Sequence, residues 1–144
     1  MLYIFFIEKY LVYLYMILQK NIDQLTRSEL LCLNKALKIA CNDIIGCNPK
    51  VIVRTYNKSS DYCFAFYDYD DCSIRIFRKG IKNVDEYVKI FIHEWTHSLQ
   101  KGLKSKYLKM NKKYGYWKNP FEVEARLNEK IYKSIIWKYA KSLI

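Results

Sequence analysis

One stretch constrains this chain more than any other: His93-Glu94-Trp95-Thr96-His97, of the form H-E-x-x-H, which holds the only 2 histidines in 144 residues. Residues four apart lie on one face of a helix, so both imidazoles reach a single ion. Glu94 follows the first histidine and sets a carboxylate beside that ion. There it can take a proton from a water that the ion has acidified. The expectation is a zinc-dependent hydrolase acting on peptide bonds.

The flanking residues separate this reading from two histidines that merely share a helix surface. Val88, Phe91, Ile92, Trp95 and Leu99 follow i, i+3, i+4, i+7 and i+11, a stripe that faces a core. His93 and His97 fall roughly opposite its centre. One face of the helix is then buried while the other carries the histidines over a cleft.

A chain of 144 residues suits one domain with one core. With 51% apolar residues it is not compositionally disordered. The formal net charge is +11, which fits a lysine-rich solvated surface or attraction to nucleic acid, an anionic membrane or an acidic substrate. No Cys/His finger, RNP-like aromatic signature or Gly-rich phosphate loop accompanies that charge, so nucleic acid is not the expected partner. The 5 cysteines, Cys32, Cys41, Cys47, Cys63 and Cys72, include no C-x-x-C pair. They read as reduced, mostly buried thiols of an intracellular protein rather than as a disulfide framework.

Residues 1–24 form an apolar lead, strongest from Met1 to Leu18 and interrupted by Glu8-Lys9. A spanning helix needs about 20 apolar residues, and a central charge costs about 2.5 to 3.5 kcal/mol. No positive charge precedes the run and no small-residue site follows it, unlike a cleavable signal. The preferred expectation is a helix or strand packed on the domain, with membrane contact as the alternative; Met16 is an alternative start.

Residues 25–144 supply the domain proper. Thr26 or Ser28 caps a helix to about Ile45 that buries Leu30, Leu33, Leu37, Ile39 or Ala40, and Ile44, with Gly46 as its stop. Lys50 to Tyr56, Tyr62 to Tyr69 and Cys72 to Phe77 read as short strands. Val84 or Asp85 starts the H-E-x-x-H helix. Lys101 to Lys118, with 7 lysines, reads as a loop. Asn119-Pro120 opens a last helix, with Val123, Leu127, Ile131, Ile135 and Tyr139 as its buried stripe. The order predicts a compact α+β domain: a backing helix, a small three-stranded sheet, the active-site helix and a glutamate-bearing C-terminal helix.

Catalytic zinc takes three protein ligands and leaves one position open. No third histidine exists, so carboxylates, thiolates or a tyrosine must supply the third. Glu122 and Glu124 lie downstream in Asn119-Pro120-Phe121-Glu122-Val123-Glu124-Ala125-Arg126. They point about 200° apart around a helix, so only one can join the site directly.

H-E-x-x-H followed by a helical Glu in an E-x-x-A setting resembles the gluzincin metallopeptidases. The spacing is similar to that of short gluzincins and ImmA/IrrE-type peptidases, over about Val51 to Ser134. The resemblance implies a zincin-like fold and one Zn2+ on His93, His97 and Glu122, with Glu94 as general base. Glu124 remains the alternative ligand, or a residue that orients a histidine. The chain departs from the E-x-x-A-D/N form at Arg126, where the family residue often braces the site. Glu122 also stands three residues after Asn119, where it can close a capping box.

The resemblance further implies a protein or peptide substrate paired in extended form with an edge strand. Cys72 to Phe77 is the candidate strand. Tyr107, Tyr114 and Tyr116 are candidate donors to the reacting carbonyl oxygen. The rival reading is a non-catalytic zinc-binding regulatory protein, associated with a membrane or nucleic acid.

Overall fold

Thr26 and Glu29 satisfy each other's backbone at the start of the first helix, α1 (Arg27–Ile44). The Thr26 hydroxyl accepts from the Glu29 N–H at 3.1 Å, and the Glu29 carboxylate accepts from the Thr26 N–H at 2.8 Å. This reciprocal cap fixes where the helix begins. The computed structural model describes residue 12, residues 15–100, residue 102 and residues 104–144. Within them the chain continues through β1 (Ile52–Tyr56), β2 (Ala65–Asp68), β3 (Ser73–Phe77), α2 (Val84–Leu99), α3 (Lys104–Tyr114) and α4 (Pro120–Leu143). The class is mixed α+β.

The strands form one sheet in the order β1-β3-β2. β1 runs parallel to β3 and β2 antiparallel to it. Ile74 and Ile76 of β3 are fully buried, while Arg75 on the opposite face pairs with Asp68 and Asp71. Period-2 alternation thus assigns the faces, as β-branched strand residues do. Cys72 to Phe77 is nevertheless the central strand and has no free edge. The edge nearest the H-E-x-x-H helix belongs to β2, which packs on that helix while β1 pairs with the other side of β3.

Helix α1 buries Leu30, Leu33, Ala36, Leu37, Ala40 and Cys41, leaving Ile39 partly in solvent. At its end the Gly46 carbonyl accepts from the Trp95 indole N–H at 3.1 Å, which ties α1 to α2. Ile17, Ile22 and Leu25 also lie in the core, and Arg78 donates to the Leu25 carbonyl at 2.7 Å. Of the apolar lead, Ile17 and Ile22 are thus buried, while Val12, Tyr15, Met16 and Leu18 are exposed. The rest of Met1 to Leu18 lies outside the described residues. No helix among the described residues is long and apolar enough to cross a membrane.

Three expectations need correction. Lys104–Tyr114 is a helix rather than a loop. Lysine, leucine and methionine are all strong helix formers, and the absence of any buried residue in it erased the apolar period that would have betrayed it. The last helix begins at Pro120 behind an Asn119 cap, but Val123, Leu127, Ile131, Ile135 and Tyr139 face outward. Its inner face carries Glu122, Ala125, Ile136 and Ala140 instead. Of the five free cysteines only Cys41 is buried; Cys32 and Cys72 are half-buried, and Cys47 and Cys63 are exposed.

Candidate metal centre

Helix α2 starts on Asn83, whose side chain accepts from the Glu86 N–H at 2.9 Å. Its Val88, Phe91, Ile92 and Trp95 are fully buried, and the Phe91 and Trp95 rings stack at 6.4 Å. Burying each such side chain contributes roughly 1.5–3 kcal/mol, which fixes the rotation of the helix. That rotation turns His93 and His97 toward α4, with their rings 4.9 Å apart.

Glu122 reaches both histidines. One carboxylate oxygen lies 3.0 Å from His93 Nε2 and the other 3.3 Å from His97 Nε2. The three ligand atoms fall within 4.8 Å of one another. The group can hold a metal ion: two imidazoles and one carboxylate, nearly buried, converge on one point. Glu122 does not close a capping box, since Asn119 caps the helix by accepting from the Phe121 N–H.

The outward nitrogens of both rings are also engaged. His93 Nδ1 lies 2.5 Å from Glu129, and His97 Nδ1 lies 2.8 Å from the Gln100 amide oxygen. Such partners hold each ring through Nδ1, with Nε2 turned toward the shared point at Glu122. Gln100 in turn donates to Glu124 at 2.9 Å, so Glu124 reaches His97 only through Gln100. Glu129 lies seven residues after Glu122, two turns along the same helical face. That spacing was its readable signal. Position 126, where the resembling pattern has Asp or Asn, holds Arg126, and Glu129 meets the His93 ring instead.

Burial works against the His93 imidazolium, but Glu122 and Glu129 outweigh it and raise the pKa to about 10. Burial likewise opposes the Glu122 carboxylate, yet His93, His97 and the Tyr107 hydroxyl hold it well below the usual range. Glu94 differs. Burial dominates and pushes its carboxyl up, against the pull of His97, His93 and the Tyr67 backbone N–H. Two neighbouring carboxyls are thus shifted in opposite directions by their surroundings.

Among the described residues, Glu94, His93, His97 and Glu122 line one cavity of about 230 Å³, together with Tyr107 and Tyr116. Tyr107 of α3 donates to Glu122 at 2.6 Å. Tyr114 does not line it. The cleft widens on either side, into about 770 Å³ beside His93 and about 540 Å³ beside His97. No protein-family model, curated protein or solved structure matches the chain.

Proposed function

We propose that this chain is a zinc-dependent metallopeptidase of zincin-like, gluzincin-type architecture, with Glu94 as general base. The observation that carries the reading is the convergence of Glu122, from α4, on the Nε2 atoms of His93 and His97. A His, His, Glu set with an open position favours zinc, which when bound acidifies a water and polarises a carbonyl. A purely structural site would normally carry four protein ligands, whereas three converge among the described residues.

Glu94 supplies the proton transfer. Its carboxyl is buried, and burial raises its pKa above the usual carboxylate value, the direction that strengthens it as an acceptor of a proton from the attacking water for delivery to the leaving amine. Tyr116, which lines the same cavity, offers a hydroxyl donor to developing charge on the carbonyl oxygen, since the Tyr107 hydroxyl is given to Glu122. The outer edge of β2, whose Ala65, Phe66 and Tyr67 line the cavity, offers backbone groups to an extended peptide, in place of Cys72 to Phe77.

Two substitutions test the assignment. Glu94→Gln protein should keep its zinc and lose cleavage of a proteome-derived peptide library. Retained cleavage removes Glu94 as the base. Glu122→Gln should lower zinc stoichiometry, and an unchanged value passes the ligand role to another group.

A further inference from the structure

Arg126 stands one turn of α4 beyond Glu122 and lines the cavity of about 770 Å³ that opens beside His93 and Glu94. Among the described residues lining it, Arg126 is the one arginine or lysine. The other charged groups there are Asp61, Glu94, His93 and Glu129, and Glu129 is already engaged by His93. The Arg126 guanidinium lies under the rings of Tyr116 and Trp117, at 5.9 and 5.2 Å from their centroids.

Its hydrogen bonding is incomplete. Nη2 donates to the Trp117 carbonyl. Nη1 is buried and has no partner among the described residues. A guanidinium stays charged and presents a fork of donors that fits a carboxylate. Leaving one such donor buried and unmet costs free energy that an entering acceptor would recover. The overlying rings are 48% and 74% exposed, so they can shift aside with little loss of packing.

We propose that Arg126 is a carboxylate-recognising residue of the cleft, selecting peptides with an acidic group next to the scissile bond. The proposal rests on the peptidase reading in that the peptide occupies this same cleft. The carboxylate is either the peptide's C-terminus or an Asp or Glu side chain. The formal net charge of +11 favours approach of such substrates.

The test is fluorescence anisotropy of labelled hexapeptides on the full-length, zinc-loaded Glu94→Gln protein, at about 0.15 M salt to screen the general positive charge. Three peptides share one sequence: Gln with a C-terminal amide, Glu with the amide, and Gln with a free acid. The Glu is walked along the peptide. One acidic form should bind about tenfold tighter than the neutral one, the scale of a charged hydrogen bond. Which form wins identifies the source of the carboxylate.

Adding Arg126→Gln should abolish the preference with zinc content unchanged. Lys138→Gln, which removes the same charge from an exposed site about 18 Å further along α4, should keep it. Arg126→Glu should instead favour a Lys peptide. Equal binding of neutral and acidic peptides, a preference that survives Arg126→Gln, or no binding of any peptide overturns the proposal; the first two need no change in folding to be read. If wild-type protein cleaves neutral and acidic peptides equally, the peptidase reading stands and Arg126 recognition falls. If wild type cleaves none while carboxylate-dependent binding persists, the peptidase reading falls alone.

Discussion

Glu129 Oε1 lies 2.5 Å from His93 Nδ1, on the far side of the imidazole from the Nε2 that meets Glu122. His93 is thereby held between two carboxylates of one helix. The pair links α2 to α4 and sets the ring's direction. Replacing such a partner typically costs 10–100-fold in metal affinity. Glu129→Ala should therefore weaken zinc binding by about that factor while leaving the far-ultraviolet dichroism spectrum intact. Competition with a chelating dye measures it, and an unchanged affinity would show that the contact does not orient the ligand.

Tyr107 is the main tie between α3 and the site. The helix buries none of its residues, yet the Tyr107 hydroxyl donates to Glu122 at 2.6 Å and its ring meets His97 at 5.9 Å. Segments with few buried contacts open locally at low free energy. Tyr107→Phe removes the hydroxyl and should raise amide exchange in α3 at least several-fold, with α1 unaffected. Identical protection in both proteins would place the anchor of α3 elsewhere.

Glu29 makes folding stability depend on acid. Burial pushes its carboxyl up, but Lys20 at 2.8 Å and the Thr26 N–H outweigh that and lower the pKa from 4.5. The folded chain then binds this proton less readily than the unfolded chain. The stabilisation is fully present above about pH 4.5 and is lost as pH falls through the folded value. In urea titrations, wild type should exceed Glu29→Gln at pH 7, and the gap should close between pH 4.5 and the acid limit. A gap that widens on acidification would contradict the sign.

The legible parts of this molecule are those where side-chain spacing and local backbone chemistry agree. Thr26 with Glu29, Asn119 with Pro120, and the stripe from Val88 to Trp95 each leave a local signature that tertiary contacts then keep. The His93, His97 and Glu122 group shares this property only in part: the stripe of α2 orients H-E-x-x-H, whereas Glu122 was legible from its position behind Asn119-Pro120 and not from the apolar stripe of α4. What escaped the sequence depends on contacts between distant elements. Strand order decides that β2, not β3, is the edge, and no residue within either strand encodes that choice. Helix α3 is anchored through Tyr107 rather than through a stripe. The inner face of α4 is partly polar, because Glu122 and Glu129 must face the histidines. The apolar period from Val123 to Tyr139 was real but belongs to the outer face.

That inversion of α4 can be tested with two adjacent isoleucines. Ile136 is fully buried in the core, while Ile135 is 55% exposed. The sequence stripe places Ile135 inside, whereas the fold places Ile136 there. Removing a buried isoleucine side chain down to alanine costs about 2–5 kcal/mol, because a cavity adds to the lost transfer energy. A substitution at an exposed helical site stays within about 0.5 kcal/mol. Ile136→Ala should therefore lower the urea midpoint sharply, and Ile135→Ala should barely move it. The opposite ranking would mean that α4 is rotated, which would also carry Glu122 away from His93 and His97. Metal binding by Ile135→Ala protein gives the second readout, since the described rotation predicts zinc affinity equal to that of wild type.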